Sequence, residues 1–185
     1  MMNHIDVSSV LRQTLACDLY SNLVTRSTGA AVRTQIEHLV SEARERALTV
    51  IDFSQVSMID FSCADEIVAK LLMRYASDDA PQVAYFLFRG VTDDHWDAIG
   101  AVLERHGLAL VLEHNGLHRV VGVLSEDERR AWEAIYRIGP AAADEVAIET
   151  GTETMRAREA LDALCRRRLV MQADGQYMAV GDRHG

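Results

Sequence analysis

VIDFSQVSMIDFSCADE, residues 50–66, is the stretch that decides the fold of this 185-residue chain. Residues 48–53 form a short apolar run, rich in β-branched and aromatic side chains, that is typical of a strand covered on both faces. A polar turn follows, and apolar residues then recur at helical spacing. These apolar positions are Ile67, Val68, Leu71, Leu72 and Tyr75. The pattern therefore predicts a strand, a loop and a helix in direct succession.

Ser62 is the residue at which this helix is expected to begin. Serine is a favoured N-cap, and Asp65 and Glu66 then fall in the first turn, where carboxylates stabilise the positive end of the helix dipole. Ser62 and Asp65 also have the spacing of a capping box. The sequence thus predicts a helix that is capped by Ser62 and acidic at its start.

The same stretch resembles the core of STAS domains, the fold of bacterial anti-sigma factor antagonists. It is most similar to a STAS-like variant whose signature, Asp-Phe-Ser-x-Val and then Ala-Asp-Glu, stands here at residues 52–56 and 64–66. Residues 23–31, with Arg26, look like the entry to the preceding helix of that variant. The resemblance covers residues 20–124 and implies an α/β domain with a mixed sheet and helices.

The resemblance also implies a regulatory function. STAS modules of this kind dock on anti-sigma factors or on kinases of the histidine-kinase-like ATPase fold, through a loop and helix that span residues 57–70 here. The implied partner-binding residues are Asp60, Ser62, Asp65 and Glu66. Their carboxylates would suit a basic patch on the partner. A homodimer is also compatible with this class of protein.

One departure from the family pattern concerns phosphorylation. In phospho-regulated antagonists the loop reads aspartate, phosphoacceptor serine, serine or threonine, then glycine, whereas this chain has Asp60, Phe61, Ser62 and Cys63. Phosphorylation would have to use Ser62, where a charge of about −1.5 to −2 meets a favourable helix dipole but also three neighbouring carboxylates. Ser62 is therefore either a capping residue, which the charge balance favours, or a phosphorylation site.

Strand and helix signals continue to residue 124. Residues 83–88 and 108–113 are apolar runs typical of strands, and between them Thr92 and Gly107 bound a helix as N-cap and C-terminal glycine. Asn115-Gly116 is a two-residue hairpin signal that predicts an antiparallel strand over residues 117–124. This order predicts an α/β layer.

The periodicity changes at Ser125, where a capping signal opens a helix that ends at Gly139. A short helix over 142–149 and a longer one over 152–168 follow, and two strands flank Asp174-Gly175. The side chains of the longer helix predicted to face inwards are Met155, Ala160, Leu161 and Leu164. Three helices and a tight hairpin resemble the winged helix-turn-helix of bacterial regulators, as do residues 143–151 and 158–164. We expect two domains, 1–124 and 125–185.

The third helix of a DNA-binding winged helix offers its side chains to the major groove. The exposed candidates here are Thr152, Thr154, Arg156 and Arg158. Arg166, Arg167 and Arg168 either complement the negative helix end or contact phosphate. The net charge is −6 over residues 1–124 and −3 over 125–185, and the predicted wing tip has no basic residue. Both DNA binding and protein contact stay open for this module.

Composition and motifs favour no enzyme class. The chain is 49% hydrophobic and 25% charged, with no apolar window of membrane-spanning length and no signal-peptide pattern, so we expect a cytoplasmic protein without membrane association. Cys63 has no neighbouring base, which favours a buried thiol over a nucleophile. His114 and His118 flank a turn, but two imidazoles without a third ligand do not make a metal site. No P-loop motif is present. We expect no cofactor and no metal.

Two functional hypotheses follow. The first is a non-enzymatic cytoplasmic regulator in which the STAS-like module recognises a partner protein and the winged helix acts in transcriptional regulation. The alternative is a sequence-specific DNA-binding repressor whose STAS-like half senses a ligand or forms a dimer. Salt dependence of DNA binding discriminates between them, because phosphate contacts weaken steeply as salt rises.

Overall fold

The computed structural model describes residues 2–6, 22–43 and 48–182. Its strands are β1 (Met2–Asp6), β2 (Asn22–Leu23), β3 (Leu48–Asp52), β4 (Met58–Ile59), β5 (Tyr85–Arg89), β6 (Ala109–His114), β7 (Leu117–Gly122), β8 (Val170–Ala173) and β9 (Gln176–Ala179). Five of them form a mixed sheet in the order β1-β3-β5-β6-β7. The first four run parallel, and β7 returns antiparallel to β6.

Six helices occur in the described part of the chain. They are α1 (Arg26–Glu42), α2, α3 (Asp93–His106), α4 (Glu126–Ile138), α5 (Ala143–Thr150) and α6 (Thr154–Arg166). Helix α2 is made of three consecutive segments, an α-helical turn over Phe61–Ala64, a π-helical stretch over Asp65–Lys70 and an α-helical end over Leu71–Ala76. The fold is therefore α/β, as predicted. Within the described ranges no helix has the length and apolar character needed to cross a membrane.

Strand β3 is buried on both faces, which confirms the prediction for residues 48–53. Ile51 of β3 belongs to an apolar cluster with side chains of α1, α2 and α3. Its neighbour Val50 points to the opposite face, into a second cluster with side chains of α4, α5 and α6. Since successive side chains of a strand alternate between faces, one apolar strand serves both cores.

The C-terminal segment, residues 125–182, packs directly on the sheet. Trp132 of α4 is fully buried in the second cluster, and its indole Nε1 donates to the Leu169 carbonyl at 3.1 Å. At the edge strand β7, the His118 amide donates to the Tyr136 hydroxyl at 3.0 Å, and Arg129 donates to the Val120 carbonyl at 3.3 Å. Side chains of α4 thus satisfy backbone groups that an open sheet edge would offer to another chain. The division at residues 124 and 125 stays a prediction, since the two segments share a buried cluster.

Most element boundaries follow the local signals. Ser125 and Glu128 form the predicted capping box, and both two-residue hairpin turns are present, with positive φ at Asn115-Gly116 and at Asp174-Gly175. Positive φ at both positions is the geometry that Asn-Gly and Asp-Gly adopt readily.

Two local predictions are wrong. Ser62 does not cap α2: the N-cap is Asp60, whose carboxylate accepts from the Cys63 amide, and Ser62 lies inside the first turn. The capping box predicted between Ser62 and Asp65 is therefore absent. Met155 was expected to face inwards, yet it is exposed in the first turn of α6, because the buried stripe of this helix begins at Ala157.

Candidate functional site

Two short parallel strands place two helix N-termini side by side. Strands β2 and β4 pair in parallel, with Leu23 opposite Ile59, and each runs within three residues into a helix, β2 into α1 and β4 into α2. Asp60 joins the two turns: its Oδ2 accepts from the Thr25 amide at 3.0 Å, while its Oδ1 accepts from the Cys63 amide at 2.8 Å. One carboxylate therefore serves the N-termini of α1 and α2 together.

Asp60 is held as a carboxylate by its surroundings. Burial raises its pKa, but hydrogen bonds from two backbone amides and from the Ser62 hydroxyl outweigh burial and keep the pKa below its ordinary value of 3.8. The Ser62 Oγ donates to Oδ1 at 2.9 Å. A phosphoryl group on Ser62 would therefore stand beside a fixed negative charge, which disfavours it electrostatically.

Thr25 is the strained residue of this site. Its φ of +76° is a rare conformation for a β-branched residue, and it is one of four non-glycine residues with positive φ in the described chain. The strain is balanced by local contacts, since the Thr25 amide donates to Asp60 and its carbonyl accepts from the Cys63 thiol at 2.9 Å. Backbone strain of this kind is concentrated at functional sites.

Asp65 is a buried member of an ion-pair cluster between α1 and α2. It accepts a hydrogen bond from Arg26 at 2.7 Å, and its other oxygen lies 2.7 Å from His106 Nε2. Burial raises the pKa of Asp65, but the bonds with Arg26 and His106 outweigh burial and hold the pKa below its ordinary value of 3.8. The carboxylate is thus neutralised within the protein.

Glu66 is buried still further, with 2% of the residue exposed. Arg26 donates to its Oε1 at 2.9 Å, Arg33 to its Oε2 at 3.3 Å, and Lys70 also pairs with Oε1. These cations hold the pKa of Glu66 below its ordinary value of 4.5 although burial raises it. The sequence prediction grouped Asp65 and Glu66 with Asp60 on a partner-facing surface. In the structure both are internal, because helix α1 covers them with its arginines.

The π-helical stretch brings these two carboxylates to the interior. Asp65 and Glu66 are its first residues and Lys70 is its last. A π-turn inserts one extra residue into a helix, so consecutive charged side chains are redirected relative to the apolar stripe, and such turns are frequent at functional sites. Nothing in the local sequence distinguishes this stretch from a regular amphipathic helix.

The surface around Asp60 exposes apolar side chains. Met58 on β4 is 48% exposed and Val24, next to β2, is 39% exposed. Phe61 is partly buried, and the Arg105 guanidinium lies 5.5 Å from the centre of its ring. We name Val24, Met58, Asp60, Phe61 and Ser62 the N-terminal platform. It combines a fixed carboxylate with apolar area, as protein contact surfaces do.

Cys63 and the two turn histidines do not form a catalytic or metal arrangement. Cys63 is buried, and burial together with Asp60 raises its pKa to about 12, so it is a thiol and not a nucleophile. His118 lies opposite Glu113, and His114 lies opposite Leu117, so the histidines are not direct cross-strand neighbours. Across residues 2–6, 22–43 and 48–182 no group of three or more His, Cys, Asp or Glu could hold a metal ion.

The DNA-contact candidates lie at the start of α6 and in the turn before it. Thr154 and Arg158 are exposed on the helix. Arg156 is exposed too, but its Nε pairs with Asp127 of α4 at 2.5 Å. The Thr152 hydroxyl is 2.8 Å from that of Thr150. Thr154 and Arg158, four residues apart, thus share one side of α6, whereas Thr152 and Arg156 are engaged in contacts to neighbouring elements.

Arg167 and Arg168 have a role that sequence reasoning missed. Arg167 Nη2 donates to the Val123 carbonyl at 2.6 Å and to the Gly107 carbonyl at 3.2 Å. Arg168 Nε donates to the Tyr75 carbonyl, at the end of α2, at 3.0 Å. Both arginines therefore hold the C-terminal segment against the described residues up to position 124, which we name the sheet half. The sequence suggested instead that they complement the helix end or contact phosphate.

We expect the free energy of unfolding to decrease as pH falls below about 4. Asp60, Asp65 and Glu66 have pKa values lowered by folding, so the unfolded chain binds more protons and the stability they contribute is lost as pH falls through the folded pKa values. Urea unfolding between pH 6 and 2.5 measures this slope. Asp65→Asn should flatten it, whereas Asp93→Asn, at an exposed position in α3, should not. Equal slopes for the two variants would contradict the assignment.

The geometry separates residues that the sequence placed together. Asp60 and Ser62 belong to the N-terminal platform, while Asp65 and Glu66 lie behind it. Thr25, which donates to Asp60, lies 35 residues from it in the chain, and His106, which contacts Asp65, lies 41 residues from it. No sequence pattern links such distant positions, so only folding shows the connection.

No protein-family model, no curated protein and no solved structure matches this chain.

Proposed function

We propose that this chain is a non-enzymatic cytoplasmic regulator in which a STAS-like module recognises a partner protein through the N-terminal platform. The partner is of the anti-sigma factor or histidine-kinase-like ATPase class, and a winged helix at the C-terminus acts in transcriptional regulation. The observation that carries the proposal is the platform itself. Asp60 ties two helix N-termini together and leaves Met58 and Val24 exposed beside them.

The platform suits protein recognition more than catalysis. Its charged group, Asp60, uses both oxygens in hydrogen bonds to the protein, so its position is fixed before any partner arrives. Pre-organised polar groups around exposed apolar side chains lower the ordering cost of binding. Asp65 and Glu66 support the platform from behind by holding α1 against α2.

The order of the C-terminal elements supports a winged helix. Helices α4, α5 and α6 precede the hairpin of β8 and β9, which is the element order of that superfamily. An isolated bridge between Ala141 and Tyr177 adds a third strand position between α4 and α5. Tyr177 is buried, and its hydroxyl donates to Asp162 of α6 at 2.8 Å, which fixes the hairpin on the third helix.

Direct contacts connect the platform with the C-terminal segment. Helix α2 begins at Phe61 in the platform and ends beside Tyr75, the acceptor of Arg168. Helix α3 ends at His106, which contacts Asp65, and the next residue, Gly107, accepts from Arg167. We propose that a partner bound at the start of α2 affects Arg168 through α2 and Arg167 through Asp65 and His106. Such contiguous contacts are a physical route for coupling two sites.

Binding to purified ATPases of the histidine-kinase-like fold and to anti-sigma factors from the same host tests the proposal. We expect one of them to bind the full chain, and Met58→Ser to weaken that binding by about tenfold or more, because an apolar contact at the centre of an interface is lost. Met73→Ser, a comparably exposed methionine on α2 outside the platform, is the control. Asp60→Ala should also weaken binding.

Either of two results would reject this function. The first is the absence of binding to every member of the panel. The second is binding that Met58→Ser and Met73→Ser reduce equally, because the partner would then not use the platform.

The second candidate is a DNA-binding repressor whose sheet half senses a ligand or dimerises. The observation in its favour is that Thr154 and Arg158 are exposed at the start of the third helix. This candidate requires duplex binding that survives physiological salt and decreases with Arg158→Ala.

A further inference from the structure

The corner where α5 meets α6 exposes two large apolar side chains. Ile148, in the last turns of α5, is 82% exposed, and Met155, in the first turn of α6, is 72% exposed. These are the highest exposures among the large hydrophobic residues of the described chain. Single exposed hydrophobic residues are ordinary, so it is the pair flanking one turn that makes this corner a candidate contact surface.

The turn between the helices fixes this corner. The Gly151 amide donates to the Ile148 carbonyl at 3.2 Å, and the Thr152 amide donates to the Ala147 carbonyl at 3.0 Å. Gly151 has a φ of +66°, the left-handed conformation that ends a helix with a tight turn. Ile148 and Met155 are therefore presented by a defined backbone. We name the exposed residues of 143–159 the α5–α6 face.

The α5–α6 face is acidic. Residues 143–159 contain five carboxylates and two arginines. The carboxylates are Asp144, Glu145, Glu149, Glu153 and Glu159. Arg156 is paired with Asp127, and from α4 Arg137 pairs with Glu149 while Arg130 donates to the Thr150 carbonyl. Four carboxylates and Arg158 remain on the face outside these ion pairs. A duplex would meet net negative charge here, and phosphate neutralisation supplies much of the affinity for DNA.

The arginines that follow α6 do not compensate for this acidity. Arg167 pairs with Glu128 at 3.2 Å as well as with backbone carbonyls of the sheet half, and Arg168 is bonded to the end of α2. The hairpin turn of β8 and β9 adds Asp174 and no cation. Arg167 and Arg168 thus stabilise the internal packing of the protein.

We propose that the α5–α6 face binds a protein segment whose apolar side chains are flanked by lysine or arginine, and that it does not bind duplex DNA. Ile148 and Met155 form the apolar centre, and methionine adapts its shape to the partner. The carboxylates form a polar rim that attracts a cationic segment and repels phosphate. This surface is separate from the N-terminal platform and does not depend on its function.

Three labelled probes test the proposal by fluorescence anisotropy with the full chain. Two are synthetic peptides with the same leucines at helical spacing, one with lysine and one with glutamate at the polar positions. The third is a mixed-sequence DNA duplex. We expect the lysine peptide to bind, and binding to fall about tenfold or more in the double variant Ile148→Ser, Met155→Ser. Leu117→Ser, at an exposed position on β7, is the control and should leave binding unchanged.

Several results would overturn the proposal. Absence of lysine-peptide binding would do so, as would equal binding of both peptides or equal loss in the double variant and in Leu117→Ser. Duplex binding at physiological salt that decreases with Arg158→Ala would assign the face to DNA. Circular dichroism of each variant establishes that the fold is retained, which is expected because Ile148, Met155 and Leu117 are exposed.

Discussion

Removal of residues 125–185 is expected to abolish the folded monomer. The truncation uncovers one whole face of the central sheet. The buried side chains on that face are Val50, Tyr85, Leu87, Ala109, Val111 and Val120. Full burial of a Val, Leu or Phe side chain contributes about 1.5–3 kcal/mol, so the loss over this face matches or exceeds the total stability of an ordinary domain, about 5–15 kcal/mol.

Size-exclusion chromatography and urea unfolding of the 1–124 chain measure this effect. We expect aggregation, or a chain without a cooperative transition. A chain that ends at Asp182 keeps every residue that the structure describes and is the control for truncation. We expect it to unfold in one cooperative transition. A soluble 1–124 monomer that unfolds cooperatively would show that the predicted boundary separates two independent domains.

Gly29→Ala is expected to destabilise the protein by about 1–3 kcal/mol, the usual range for overpacking a close contact. A Cβ atom on Gly29 would lie 2.8 Å from the Cys63 Cα and 3.1 Å from the Glu66 Cβ. The first of these is a backbone atom, so α1 and α2 must separate. Arg26, one turn before Gly29, would then move away from Asp65 and Glu66 and leave buried carboxylates with less compensation.

The free energy of unfolding from urea titration measures the effect of Gly29→Ala. Gly100→Ala in α3 is the matched control, because its new Cβ would meet only the Trp96 ring at 3.3 Å and that side chain can shift. There the helix preference of alanine, about 1 kcal/mol, should leave stability unchanged or higher. Equal effects of the two substitutions would show that the approach of α1 to α2 is not tight.

Local signals predicted most of the elements because they act over a few residues. Asn115-Gly116 and Asp174-Gly175 tolerate positive φ at two consecutive positions, and both make the predicted hairpin turns. Ser125 and Glu128 form a reciprocal cap within one turn. The apolar run over 48–53 indicated burial on both faces of its strand, and it is buried on both.

The candidate site was predicted less well, since its contacts join distant segments. A serine and an aspartate two residues apart are both good caps, and the choice of Asp60 over Ser62 depends on the Thr25 amide, which reaches Asp60 through the pairing of β2 with β4. Asp65 and Glu66 match the pattern of an exposed acidic helix start. They are internal because the π-helical stretch redirects them toward α1.

The sequence by itself determined helices α2 to α6, strands β3 and β5 to β9, and the turns between them, because these depend on backbone preference and side-chain period within one element. Strands β1, β2 and β4 were not among its predictions. Tertiary structure alone decided that Arg26 pairs with Asp65 and His106 contacts it, and that Arg167 and Arg168 fasten the C-terminal segment to the sheet half. It also decided that α4, α5 and α6 cover the second face of the sheet. Each of these contacts joins segments far apart in the chain, so its free energy exists only once the layers have packed.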